Sequence, residues 1–455
     1  MSTRAHIAAE ECISSVEPFN NGAGPIWCFG SSTLVRDGNA LYCTIPEVGA
    51  GVTPLCNTRW NLYRRLDGQA WERVYQSPNY DQREPCPMVR LPGGRVAVST
   101  NPAYREWYAW ADGRKRYCCT PQLAFFDLAH LERGPEMHTP VWSMDHAFNE
   151  HSYRGMGVDA ETGALFLAHQ APDPDQDHDF VVAWSYLDAE GSWSQQGVLR
   201  FPMRGCYPQI AVRGRAVYIL AISDEMEPVP AWADYKAMVT GQRDWDYDFR
   251  QLFFTWTPDI TKRPFSPPLT VASRDETAGI ITNRDLWIAP DGDAYVLYQE
   301  RNIWHAFMRD RFWPGTPTKM SLKMARVHNG RVAERWLLQE SVENMTDRAT
   351  VSGKAERYEP TMTPPVPSYA VFHATPDGRL YVVCHQSGTV AAGNYIRQVL
   401  PDLGEPIPIP LSTPLASFFT ASVRAGSLPA ESVDLYGMPA SGAQEIRHAQ
   451  FTLSN

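Results

Sequence analysis

Apolar positions along this chain come in short runs, and the runs come in pairs split by a glycine-bearing turn. Leu286–Tyr298 reads LWIAPDGDAYVLY, and Val371–Val383 reads VFHATPDGRLYVV. Such pairs centre on Asp37-Gly38, Gly93-Gly94, Gly163, Arg213-Gly214, Asp291-Gly292, Asp377-Gly378 and Gly426. Glycine supplies the positive φ that tight hairpin turns require, and the flanking runs are rich in strand formers. Several copies are followed by a second hairpin in which a Trp enters the last strand, as in 61–71, 181–193 and 323–336. Two hairpins make a four-stranded unit. A unit recurring about every 50 to 85 residues, with little helical periodicity between copies, predicts propeller blades.

The predicted fold is therefore all-β: a seven-bladed β-propeller of four-stranded antiparallel blades, with 1–455 as one domain. The blades are expected at about 31–78, 86–142, 151–201, 206–270, 281–340, 367–412 and 415–454, with the segment before Pro25 adding a strand that closes the ring. Insertions at 103–117, 171–180, 224–248, 302–320 and 341–366 are rich in Trp, Tyr, Asp, Arg and Pro. Loops of that kind over a rigid scaffold serve as binding elements or as packing decoration.

Composition narrows the function. A length of 455 residues fits one closed β architecture, and 15 Trp suit blades packed face to face. The formal charge of −10 argues against a nucleic-acid partner, which needs a basic stripe. No uninterrupted apolar run is long enough to span a membrane. The first residues lack the apolar stretch of a secretory signal, so a cytoplasmic protein is expected, or a secreted or periplasmic one whose leader lies outside the sequence. The nine cysteines are odd in number and form no C-x-x-C pair, which reads as buried thiols; dispersed Cys and His leave room for a metal site. Signatures of nucleotide binding, serine hydrolysis and zincin chemistry are missing from the sequence.

In a blade, the start of the first strand and the end of the second share one face of the ring. Those positions hold His151 and His169 in the third repeat and Arg204 and Tyr207 at the opening of the fourth. They hold Arg284 and Arg301 in the fifth, and Tyr369 and His385 in the sixth. A face that gathers His, Tyr and Arg suits uronic-acid chemistry. Removing the C5 proton of a uronate requires neutralising the adjacent carboxylate, for which Arg or His offers matching donors. A His or Tyr then takes the proton, and a second such group protonates the leaving oxygen.

The order His151-Ser-Tyr, then His169 after GALFLA, then Arg204 and Tyr207-Pro, resembles the seven-bladed propeller polysaccharide lyases, the ulvan lyases and rhamnose–glucuronate lyases. The resemblance implies that His151 and His169 are the paired histidines, Tyr207 the tyrosine and Arg204 an arginine of the site. Arg284 or Arg301 are further candidates for the carboxylate, with Tyr369 and His385 as substrate-binding residues. It implies a uronate-containing oligo- or polysaccharide as partner and cleavage by β-elimination, with His151 or Tyr207 as base. No cofactor is required for that chemistry, though the family's structural metal, zinc or calcium, is a further expectation without assigned ligands. The segment from Asp188 to Trp193 partly resembles the Asp-box (BNR repeat) of sialidase propellers. Arg284, Arg301, Tyr369 and Glu300 leave a sialidase-like hydrolase as the alternative enzyme, and a non-catalytic glycan- or protein-binding propeller as the alternative class.

Overall fold

A computed structural model describes residues 3–27, 30–109, 113–173, 175, 180–241, 247–343, 366–388 and 391–454. Seven four-stranded antiparallel sheets follow one another along the chain as the blades of a propeller. Their innermost strands are Leu34–Asp37, Met88–Leu91, Gly155–Val158, Gly205–Arg213, Ile280–Ile288, Val366–Ala374 and Leu415–Thr420. The seventh sheet takes its outermost strand from the N-terminus: Arg4–Ser15 pairs antiparallel with Glu445–Ser454, joining the two ends of the chain.

Hairpin turns at Asp37-Gly38, Gly93-Gly94, Gly163, Arg213-Gly214, Asp291-Gly292 and Asp377-Gly378 join the first and second strands of the first six blades. Each of the turn glycines has positive φ. The seventh repeat departs from the pattern. Gly426, read as a hairpin centre, instead follows a 3-10 turn, Val423–Ala425, within a connection running from Thr420 to Val433. This connection crosses the turn-side mouth of the central channel and touches the inner strands of blades two to five. At Gly426, with φ +84, a Cβ would lie 2.1 Å from the Arg90 carbonyl oxygen and 2.7 Å from Val158. Arg424 beside it is buried, with Nε 2.8 Å from Asp285 Oδ1 and Nη1 donating to the Gly30 carbonyl at 2.6 Å. A buried charge needs such partners, so the plug is fastened by an ion pair.

The inner strands of blades three and four approach closely because Gly155 carries no side chain: a Cβ there would sit 2.4 Å from the Pro208 carbonyl oxygen. Apolar clusters fill the spaces between blades. One joins Tyr42 and Trp60 to Val98, Phe126 and Leu167, and another joins Leu220, Phe254 and Val296.

The two faces of the ring differ. One carries the short turns and the plug. The other carries the insertions that leave the ends of second strands. In blade two this is the hairpin Ala103–Ala109 with Lys115–Cys119. In blades four and five it is the helices Pro230–Thr240 and Ala306–Phe312. These helices meet through Trp232, Tyr235, Phe307, Phe312 and Trp313, with Trp232 and Trp313 rings 5.2 Å apart. Lys236 is buried beneath them between Glu227, at 2.8 Å, and Asp248, at 3.0 Å. Most of the 341–366 insertion lies outside the described residues. Among the described residues, no helix is long and apolar enough to cross a membrane.

Candidate functional site

Residues immediately before the first strands of blades two and three meet at the insertion-bearing face. Glu84 precedes the strand that starts at Met88, and its side chain is fully buried. His151 precedes the strand that starts at Gly155. Its Nδ1 lies 2.8 Å from Glu84 Oε1, and the Ser152 hydroxyl donates to Glu84 Oε2 at 3.0 Å. Arg154 donates to the carbonyls of Glu84 and Pro85, holding the backbone that presents the carboxylate. Burial opposes ionisation of Glu84, but the His151 hydrogen bond and charge, with Arg83 and Arg154, bring its pKa down to about 2.

Burial also lowers the His151 pKa below its usual value, against the raising effect of Glu84. At neutral pH the imidazole is therefore neutral beside an ionised carboxylate. The proton sits on Nδ1, where the carboxylate accepts it, and Nε2 is left as a lone-pair nitrogen. The ring remains 19% exposed, enough for contact from the solvent side. The loop is fixed from behind. Asn149 Oδ1 accepts from the His151 amide at 2.9 Å, and Glu150 receives Arg116 Nη1 at 2.7 Å and the Tyr117 amide at 3.0 Å.

Two tyrosines line the next step around the ring. The Tyr153 ring lies 4.1 Å from His151 and 4.6 Å from Tyr207, centroid to centroid. Both tyrosines have positive φ, 39° and 49°. For bulky residues that conformation costs on the order of 1–3 kcal/mol and persists where surrounding structure imposes it, often at functional sites. Asn283 of blade five holds the Tyr207 carbonyl at 2.8 Å, and the Trp27 and Phe249 rings flank the Tyr207 ring at 6.1 and 6.2 Å. Burial raises the Tyr153 hydroxyl well above its usual pKa, so it stays protonated.

Arg204 approaches the same group, its guanidinium 4.4 Å from the Phe180 ring centroid and 5.5 Å from that of Tyr153. It donates to Gln170 at 3.3 Å, and its Nε lies 3.2 Å from Asp224 Oδ2, off the line of a good hydrogen bond. Burial raises the Asp224 pKa while Arg204 opposes it. Tyr207, Arg204 and His151 thus converge, together with Glu84, Tyr153 and Asp224, which the sequence reading did not select. The signal for these three was the rule already in use. Glu84 stands just before a first strand, Asp224 just after a second strand, and Tyr153 within the His-Ser-Tyr triplet.

His169 lies elsewhere. It is fully buried on the second strand of blade three, with its ring between Trp142 and Phe148, each at 5.7 Å. Neither ring nitrogen has a hydrogen-bond partner among the described residues, and burial pushes its pKa well below the usual value. The sequence reading put it at the end of that strand, but the strand runs from Leu165 on to Pro172, so His169 lies within it and its side chain packs between Trp142 and Phe148 rather than toward solvent. His169 is a neutral packing residue behind the site.

The four candidates from blades five and six form a separate group. Arg284 and Arg301 line a cavity of ≈ 470 Å³ with Gln299, Trp304 and Ser368. Arg284 donates to the Ser368 carbonyl at 2.9 Å and lies 4.8 Å from the Tyr369 ring, and burial lowers its pKa to about 10. Arg301 is buried and donates to the Trp304 carbonyl at 2.9 Å. Burial raises Tyr369 to about 12 and lowers His385 to about 4; His385 Nδ1 meets the Ser368 hydroxyl at 2.6 Å. Glu300, the carboxylate a sialidase-like arrangement would use, is tied to Arg274 and Lys323. A further cavity of ≈ 550 Å³, lined by Leu91, His130, Thr162 and Asp188, opens on the opposite face.

Among the described residues no three His, Cys, Asp or Glu side chains converge as a metal-binding set. The eight described cysteines are unpaired, and six of them are buried.

No protein-family model matches this chain, and no curated protein matches it in sequence. Solved structures do match. The polysaccharide lyase Uly1 aligns over 99% of both chains at 12% identity, with a TM-score of 0.51. An ulvan lyase of polysaccharide-lyase family 25, bound to -[GlcA(1-4)Rha3S]-, aligns over 98% of this chain and 95% of its own at 10% identity, with the same TM-score. This chain shares the fold of propeller polysaccharide lyases. A Fusarium graminearum α-L-arabinofuranosidase also aligns, over 97% of this chain and 98% of its own, at 9% identity and a TM-score of 0.43. At such identities the likeness concerns architecture, and chemistry must be argued from the site.

Proposed function

We propose that this protein is a polysaccharide lyase that cleaves a uronate-containing glycan, of the glucuronate–rhamnose type, by β-elimination. The observation carrying the proposal is the Glu84–His151 pair, bonded through Nδ1, with the His151 ring 4.1 Å from Tyr153 in the group formed with Tyr207 and Arg204. Arg204 faces the uronate carboxylate and disperses the charge that builds when the C5 proton leaves. His151 Nε2 accepts that proton, and Glu84 stabilises the resulting imidazolium through Nδ1–H. The electron pair of the C5–H bond forms the C4–C5 double bond as the C4–O bond breaks. The Tyr207 hydroxyl protonates the departing glycosidic oxygen, and His151 returns a proton to the tyrosinate through solvent. One proton is moved, no water is consumed, and no oxidant is needed.

The placement of the carboxylates favours this assignment over a hydrolase. A glycosidase would instead need two carboxylates at a defined separation. Glu84 is committed to His151 and Ser152, and Asp224 lies against Arg204.

The test is the ultraviolet absorbance of an unsaturated uronate during incubation with ulvan and with glucuronate–rhamnose oligosaccharides. Growth of that signal, abolished in His151→Ala, is expected. Reducing sugar released without the absorbance would replace the lyase by a hydrolase; neither signal would leave a glycan-binding propeller.

A further inference from the structure

The blade-two hairpin, Ala103–Ala109 paired with Lys115–Cys119, leaves the ring beside the candidate site. Its second strand is stitched to the residues just before His151: Cys118 bridges Asn149, while Tyr117 and Arg116 both bind Glu150. On the other side, the hairpin walls a cavity of ≈ 330 Å³ lined by Cys56, Tyr80, Tyr104, Arg105, Lys115 and Tyr117. Tyr104 is 67% exposed and Trp107 59% exposed. Arg105 stands opposite Cys118, and Trp107 lies two residues, about 7 Å, further out along the strand.

The charge of the segment also differs from that of the chain. Residues 103–119 carry Arg105, Arg114, Lys115 and Arg116 against Glu106 and Asp112, a net +2 in a protein of net −10. Exposed aromatics beside donors match sugar rings, whose C–H faces pack on aromatic rings while hydroxyls take hydrogen bonds. A cationic arm on an acidic protein selects a negatively charged chain.

We propose that this hairpin is a distal binding site for an anionic polysaccharide, holding the sugars that extend beyond the unit bound at His151. The proposal rests on the lyase reading for the direction in which the chain runs, though not for its existence as a binding site. Tyr104 and Trp107 supply stacking faces, Arg105 attracts acidic or sulfated groups, and Lys115, paired with Glu106 at 2.5 Å, retains donors for them. The consequence is a preference for polymer over short oligosaccharide.

The experiment uses the full chain and two probes: migration through native gels containing ulvan, and kcat/KM on ulvan against a glucuronate–rhamnose tetrasaccharide. Tyr104→Ala with Trp107→Ala is expected to remove the retardation by ulvan and to lower the polymer-to-tetrasaccharide ratio about tenfold. Lys115→Glu is expected to weaken retardation at low salt, independently of the aromatic change. Melting curves identify any variant that has lost its fold, in which case Lys115→Glu decides. Retardation and ratio equal to those of the unaltered protein would overturn the proposal, as would an unaltered protein that ulvan does not retard. Retardation lost in the double variant, with no unsaturated product from any form, would keep the distal site and refute the lyase reading.

Discussion

Replacing Glu84 by Gln tests the centre of the mechanism without removing a group that touches substrate. Glu84 is fully buried and its oxygens bind His151 Nδ1 at 2.8 Å and the Ser152 hydroxyl at 3.0 Å. In the substituted protein the neutral amide either accepts the Nδ1 proton more weakly or presents its NH2 and drives the proton to Nε2. A hydrogen bond to a charged partner is worth about 1.5–3 kcal/mol more than none. At about 1.36 kcal/mol per decade, its loss lowers kcat/KM about ten- to hundredfold. Loss of the negative charge also removes what raises the His151 pKa, so the acidic limb of the pH–rate profile moves to lower pH. Glu84→Asp, which keeps the charge, should recover part of the rate.

The assay is unsaturated-uronate absorbance from pH 4 to pH 9, about the range over which His titrates, with urea unfolding in parallel. Glu84 itself titrates at about 2 in the fold and near 4.5 when unfolded, so its contribution to stability is full above 4.5 and is lost as pH falls toward 2. A Glu84→Gln protein that keeps its rate within about twofold, with an unmoved acidic limb, would refute the assignment of His151 as a Glu84-oriented base.

Tyr207→Phe removes the proposed acid while keeping its ring among Trp27, Tyr153 and Phe249, and should lower kcat by about 10²–10⁴ with little change in melting temperature; stopped-flow or steady-state absorbance measures it. His373 and His385 are both held at about 4 by burial. They stay neutral when folded and take up protons on unfolding, so the stability they contribute is present above about 6.5 and declines as pH falls toward 4. Urea titrations at several pH values should show His373→Gln flattening that slope by about 1.4 kcal/mol per pH unit. Lys236→Met leaves the Glu227 and Asp248 carboxylates buried with one cation fewer, and should cost about 3–5 kcal/mol in chemical denaturation. Gly426→Ala forces a Cβ against the Arg90 carbonyl at positive φ, and should lower the melting temperature without altering the gel retardation by ulvan.

The blade rhythm was legible in the sequence because it is local. A glycine such as Gly292 or Gly378 fixes a turn, the apolar run on either side fixes a strand, and neither needs a distant partner. That His151, Tyr207 and Arg204 share one face was legible for a related reason: once strands alternate in direction, their ends fall on known faces. Glu84 obeyed the same rule and was passed over because a lone Glu before Pro85 resembles any solvated strand end. Gly426 shows where local pattern stops. Its sequence resembles a hairpin centre, but the space above the channel let the connection fold inward, and Arg424 found Asp285 about 140 positions away.

Sequence alone determined the alternation, the hairpin turns of the first six blades, the number of repeats and the face on which polar chemistry gathers, since these follow from backbone conformation and strand period. Tertiary structure alone decided which side chains meet. Closing seven sheets around an axis set Glu84 against His151 and Tyr153 against Tyr207, turned His169 into the space between Trp142 and Phe148, and separated Arg284 and Tyr369 into their own cleft. Those outcomes depend on rotamers and on packing across blades, for which neighbouring residues in sequence carry no information.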